Sequence, residues 1–304
     1  MKKNNLIFDV LIDDQKLKDV TETFPFLGNE LLVSIVNDFE DGKWRYSEFQ
    51  NFIWNNIAET ALSARERENL IGNPQTILRQ AAKNLRYVDK DKGEGSELAE
   101  IVLYGIMRHY YRALPVVPKI FYKQNTQDNA KGADSVHIVI TEDNFSLWFG
   151  EAKFYNNIED DRLSKIIDSV ITSLDTDKLK KENRIITDLV DIDKLIPDLA
   201  AEIKESLSFA NSMDNIKPKI HIPILLLHQC EITNSETCMS DEYKNKIIEY
   251  HKERAIKYFT KQLNKKDRIH LYEKITFHLI IFPIPNKNMI VKTFLNHIDF
   301  YKNN

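Results

Sequence analysis

The stretch that decides the fold runs from Gly132 to Tyr155. It opens Gly132-Ala133-Asp134-Ser135, continues through Val136-His137-Ile138-Val139-Ile140-Thr141, and passes Glu142-Asp143-Asn144. It then runs Phe145-Ser146-Leu147-Trp148-Phe149 into Gly150-Glu151-Ala152-Lys153-Phe154-Tyr155. Two β-branched and aromatic runs separated by a polar, turn-prone tripeptide read as a β-hairpin. If Thr141 and Asn144 flank a two-residue turn, opposed residues have numbers summing to 285. Asp134 then faces Glu151. A turn one residue later would place Asp134 opposite Lys153. Side chains alternate with a period of two, so in either register Asp134, Glu151 and Lys153 share one face. That face continues as Val136, Ile138 and Ile140 against Leu147 and Phe149.

Two carboxylates and a lysine thus end an otherwise apolar surface. Burying such groups is costly unless they are paired or bind a metal. Two carboxylates on a rigid sheet form a hard-oxygen site suited to Mg²⁺. A neighbouring lysine can orient a water or stabilise developing negative charge. A plain salt bridge at the end of a hairpin is the other reading of the same residues. His137 should point away from Asp134 and is read as packed or surface.

The whole chain has 304 residues, 42% hydrophobic and 29% charged, with a net charge of −4. This balance excludes a generally basic nucleic-acid binder and confines any such contact to local patches. No Cys/His set has zinc spacing. Cys230 and Cys238 leave one disulfide open, and so few thiols suit a reducing compartment. The start is not a signal peptide and no apolar run approaches the ~20 residues of a membrane span. A cytoplasmic protein with no membrane association is the expectation. There is no phosphate-cradling Gly-Lys-Ser/Thr loop, so no nucleotide cofactor is expected in this chain. No Ser-His-Asp arrangement stands out, and His228 and Cys230, at the end of an apolar run, read as structural.

A first strand is expected over Leu6–Ile12, and 28–86 reads as mostly helical. Asn29 would cap a helix Glu30–Phe39, Ser47 one over Glu48–Leu62, and Asn73-Pro74 starts another. Arg65, Arg67, Arg79, Lys83 and Arg86 read as a solvated face or a nucleic-acid surface. The hydrophilic Asp89–Gly95 marks a boundary, giving a mainly helical region 1–89 and a domain 90–304. Ser96 would cap a helix Glu97–Arg112 with Leu98, Ile101, Val102 and Ile106 on its apolar side. Glu97 suits the helix dipole. Glu100 lies beside the apolar stripe and has no such explanation. Past Pro115 and Pro118 an edge strand is expected at about Lys119–Lys123. A helix over Glu159–Leu174, an inserted helical segment around 176–216, a strand Ile220–Leu227, a helix Asp241–Leu263 and a strand Ile275–Phe282 complete the order. The fold class is α/β, a mixed central sheet flanked by helices.

Glu100 on the first helix, Asp134 on one strand and Glu151-Ala152-Lys153 on the next resemble the PD-(D/E)xK nuclease superfamily and its restriction-endonuclease-like core. Ala133 replaces that pattern's proline. More closely, Ser96-Glu97-Leu98-Ala99-Glu100-Ile101, Gly132-Ala133-Asp134-Ser135-Val136-His137 and Gly150-Glu151-Ala152-Lys153-Phe154-Tyr155 are similar to the HamA family, the nuclease component of the Hachiman anti-phage system. The match covers roughly residues 90–175. The resemblance implies Mg²⁺-dependent DNA cleavage, with Mn²⁺ as an alternative ion, and a helicase partner, HamB, that restrains the nuclease. Asp134, Glu151 and the Ala152 carbonyl would ligate the metal, Lys153 would assist, and Glu100 would reach in from the helix, or Glu97 if that helix is rotated. A restriction-type nuclease acting alone and a non-catalytic scaffold for DNA or a partner remain the alternatives.

Overall fold

Among the described residues seven strands form one sheet, in the order β1 (Asp9–Lys16), β2 (Glu30–Val36), β9 (Thr276–Ile284), β8 (Ile220–Gln229), β7 (Asn144–Tyr155), β6 (Ser135–Thr141) and β5 (Leu114–Val117). This is a computed structural model, and it describes residues 6–21, 25–85, 96–117, 120, 133–141, 144–180, 197–208 and 210–303. A separate two-stranded ribbon joins β3 (Phe39–Glu40) to β4 (Lys43–Trp44). Its turn places Asp41 and Gly42 at positive φ, 49° and 72°, as a tight hairpin requires.

Strands β2, β9, β8 and β7 run parallel, whereas β1, β6 and β5 pair antiparallel at the two sides. The parallel strands read as continuous apolar runs because both faces of the sheet are covered. One face packs against α5 (Asp160–Ser173), α6 (Pro197–Ser206) and α7 (Asp241–Leu263), with Phe149, Ile166, Ile203, Ile224 and Tyr258 in its core. The other packs against α1 (Tyr46–Ala61), α3 (Pro74–Asn84), α4 (Ser96–His109) and α8 (Lys287–Asn303), with Phe52, Leu103, Ala152, Leu225 and Phe294 in its core. A short α2 (Ala64–Asn69) follows α1 and is held by a reciprocal Ser63–Glu66 capping box.

Several expectations hold. The hairpin pairs Ser135 with Gly150 and Thr141 with Asn144, the register whose numbers sum to 285. Glu142 and Asp143 of the turn lie outside the described residues. Helix α5 lies one residue inside its expected bounds at each end. Helix α7 spans Asp241–Leu263 as expected, its N-terminus capped by Ser240, whose Oγ accepts from the Tyr243 N–H at 3.0 Å. Strand β8 lies parallel to β7 across the helical connection. Cys230 and Cys238 are both free thiols.

Others are corrected. Residues 30–36 form an interior strand, not a helix. The run Leu31-Leu32-Val33 fits a site sandwiched between β1 and β9 and buried on both sides, and a short apolar run does not distinguish strand from helix. The first strand starts later, at Asp9. The edge strand lies at Leu114–Val117, with Pro115 inside it, where an edge tolerates a missing N–H. Of the expected 119–123, Ile120 is described and is not in a strand, and the rest lies outside the described residues, as do the boundary Asp89–Gly95 and 181–196 of the insertion. The sheet draws β1 and β2 from the N-terminal region and the rest from beyond it, so the two segments share their core.

Candidate active site

Strand β7 alternates between two environments. Leu147, Phe149, Glu151, Lys153 and Tyr155 face α5 and α7, whereas Trp148, Ala152 and Phe154 face α4. Close packing on the α4 side depends on Gly150. A Cβ there would lie 2.2 Å from Ser135 Oγ, 2.8 Å from Leu103 Cδ2 and 3.3 Å from Pro223 Cγ. Pro223 has no N–H to give, and the β7–β8 pairing steps from Trp148↔His221 to Glu151↔Ile224. The acidic residue begins immediately after this gap.

Asp134 precedes β6. Its backbone N–H donates to the Gly150 carbonyl at 2.8 Å, and its Oδ2 accepts from the Ala152 N–H at 3.1 Å. These two bonds tie the carboxylate to β7. Lys153 then closes the group. Its ammonium donates to Glu151 Oε1 in a short contact and to the Ala152 carbonyl at 3.3 Å, and it lies 3.5 Å from Asp134 Oδ2. One ammonium therefore meets the three oxygens expected to hold a divalent cation.

Burial is uneven across the cluster. The Glu151 side chain is 6% exposed, Asp134 19% and Lys153 29%. Burial raises the Glu151 carboxyl above the usual carboxylate range and Asp134 adds to this. Lys153 and Ser169 oppose the rise without cancelling it. Burial would lower the Lys153 ammonium, but Asp134 and Glu151 outweigh it and hold the group above the ordinary lysine range. Lys153 is thus a fixed positive charge at neutral pH.

Ser169, on α5, donates to Glu151 Oε1 in another short contact. In the sequence, a serine between Asp168 and Val170 carries no signal until α5 is docked on β7. Tyr258 of α7 is fully buried on the same side, within electrostatic reach of Glu151. Glu100 is buried on α4, whose Leu103 lies over Gly150, so it approaches from the opposite face of β7 to Glu151. Glu97, half-buried one turn earlier, acts electrostatically on Lys302 of α8. The structure therefore brings Asp134, Glu151, Ala152 and Lys153 together, with the two glutamates on the neighbouring helix.

His137 is buried against the Tyr104 ring, 5.0 Å between centroids, and burial pushes its imidazole down to about 3. His228 is buried as well, its imidazole pushed down to about 4 by burial. Among the described residues no three acidic, histidine or cysteine side chains converge as a ready-made metal cage. The cluster offers two carboxylates and a backbone carbonyl instead, all hard oxygen donors. Mg²⁺ is commonly held by one or two carboxylates with waters completing its shell, so the donor set fits.

Fold and site together define an α/β protein that presents an acid, a second acid and a lysine at the ends of two adjacent strands. Among protein families, the model for HamA matches residues 11–298. The chain belongs to the HamA family and is thereby a component of the Hachiman antiviral defence system. Neither a curated protein nor a solved structure matches it. No helix among the described residues is long and apolar enough to cross a membrane.

Proposed function

We propose that this chain is the metal-dependent DNA-cleaving component of its defence system. The observation that carries this reading is the convergence of Asp134 Oδ2, Glu151 Oε1 and the Ala152 carbonyl on the single ammonium of Lys153. Three oxygens already gathered around one positive charge are suited to hold another. Asp134, Glu151 and the Ala152 carbonyl would hold Mg²⁺, or Mn²⁺ in its place; Glu100, on the α4 side of β7, and Glu97, beside Lys302, are left out of this ligand set. Such an ion polarises a phosphodiester and lowers the pKa of a bound water.

The chain's own groups do the rest. Glu151 is kept in place by the Ser169 hydroxyl, and Asp134 by the Ala152 N–H. Lys153 keeps its proton and supplies a positive charge for negative charge that develops on phosphate oxygens, or orients the attacking water. A helicase partner, HamB, would restrain the nuclease until infection.

The test is nicking of closed circular plasmid by the wild type and by Asp134→Ala, Glu151→Ala and Lys153→Ala, each with Mg²⁺ and with EDTA. Cleavage should need the divalent ion and fall on the order of 10²-fold or more in each variant. Unchanged cleavage in all three removes the assignment.

A further inference from the structure

Two open cavities adjoin along α5. One, of about 380 Å³, ends on Glu151 and is walled by Lys165, Ser169 and Lys178. The next, of about 440 Å³, is lined by Lys178, Lys217, Arg268 and His270. Thr172 and Lys178 line both, so together they form a cleft leading away from the acidic cluster. From Lys165 to Thr172 alone it follows α5 for roughly 10 Å at 1.5 Å per residue.

The charge along this cleft departs from the chain's net −4. Lys165 is exposed and Lys178 half-buried, and neither has an ion-pair partner among the described residues. Asp168, the carboxylate of α5 in the cleft, is held by Lys265 Nζ at 2.8 Å and by Arg268 at 3.1 Å, so two cations outweigh it. Asp175 is turned back onto backbone, accepting from the amides of Asp177 and Lys178 at 3.1 and 3.4 Å. Lys217 is taken up by Asp214 at 2.9 Å. The free positive charge therefore sits on Lys165 and Lys178, at either side of the cavity that ends on Glu151. Ser169, Thr172 and Ser173 line the same cavity, their hydroxyls donating to Glu151 and to the Asp168 and Val170 carbonyls.

Spaced cations along an open, elongated cleft suit a polymer with an anion at regular intervals better than a small ligand needing enclosure. We propose that this cleft carries the phosphodiester backbone of a DNA strand to the Asp134–Glu151–Lys153 cluster, with Lys165 and Lys178 each meeting a phosphate. Arg268 and Lys265 form its far rim. The proposal rests on the DNA-cleaving reading of that cluster.

The experiment is fluorescence anisotropy of a labelled single-stranded DNA oligonucleotide with the full chain in EDTA, titrated over salt concentration. EDTA separates binding from cleavage. Lys165→Ala/Lys178→Ala should weaken binding and make the salt slope shallower by about 1.4, two phosphates at ~0.7 each. Lys165→Arg/Lys178→Arg should keep the wild-type slope, because charge and not lysine packing is at stake. Arg79→Ala/Lys83→Ala, on exposed positions of α3, should also keep it. A wild-type slope in the double alanine variant overturns the proposal, as does a loss seen only in the α3 variant. The two readings fail separately. If Asp134→Ala stops cleavage while the double alanine variant binds like the wild type, the cleft is wrong and the catalytic cluster stands. If the slope falls as expected while Asp134→Ala still cuts, the cleft stands and the catalytic cluster is wrong.

Discussion

Replacing Lys153 by methionine keeps the apolar stem and removes the ammonium from its three oxygens. Glu151, 6% exposed, and Asp134, 19% exposed, then face each other without their counter-charge. Removing one member of a fully buried ion pair costs ~3–5 kcal/mol. Lys153 is 29% exposed, which reduces the expected loss to about 1–3 kcal/mol in EDTA at neutral pH. Protonation limits the loss further, since burial already raises the Glu151 carboxyl and the lysine that opposed this is gone. At roughly 2 °C per kcal/mol for a chain of this size, the melting point should fall by a few degrees. Divalent cation should reverse the effect. In the wild type an incoming ion would compete with the ammonium for the same oxygens, whereas in Lys153→Met it would not. The variant should therefore bind Mg²⁺ about tenfold or more tightly, the equivalent of ~1.4 kcal/mol, and gain correspondingly more thermal stability from it. Thermal melts over a Mg²⁺ titration, with EDTA as the baseline, measure both terms. A variant that melts like the wild type in EDTA and gains no more from Mg²⁺ refutes the competition between ion and ammonium.

Three further outcomes follow from the same geometry. Gly150→Ala drives a methyl toward Ser135 Oγ and Leu103 Cδ2 and should cost about 1–3 kcal/mol by urea denaturation; an unchanged midpoint contradicts the close packing of α4 on β7. Ser169→Ala removes a donor that lowers the Glu151 carboxyl, so the acid limb of divalent-cation binding should move to higher pH, and an unmoved limb in calorimetry shows that the serine does not act on Glu151. His137 and His221 are pushed down to about 3 and His228 to about 4, mainly by burial. Below pH ~6.5 the unfolded chain binds protons that these folded side chains do not, so their stabilisation is full above ~6.5 and drains as pH falls toward 4. Each contributes on the order of 1 kcal/mol per pH unit in that window, and denaturant melts at pH 7 and pH 5 that coincide would contradict their buried, neutral state.

The hairpin was legible because its information is local. A two-residue turn and a period of two fix which side chains share a face, so Asp134, Glu151 and Lys153 could be grouped without any long-range contact. Helices α5 and α7 were legible for a related reason, since their apolar spacing and first-turn acids lie within a few residues of each other. Strand β2 was not. Its place is set by pairing with β9, Glu30 with Phe277, some 247 residues away, and a buried parallel strand shows no alternation. Ser169 was hidden similarly, because its partner is fixed only when α5 packs on β7. The last helix, α8, was visible in principle: Ile290, Val291, Phe294 and Ile298 recur at helical spacing and are buried together against α1 and α3.

Two acids and a backbone carbonyl, gathered on a lysine, would form the seat of one divalent cation. A crystal of this chain grown with Mn²⁺ and measured at the manganese edge tests it most directly. The expected result is an anomalous peak liganded by Asp134 and Glu151, with the Lys153 ammonium moved off their oxygens. A peak elsewhere, or a lysine still seated between the two carboxylates at saturating Mn²⁺, contradicts it.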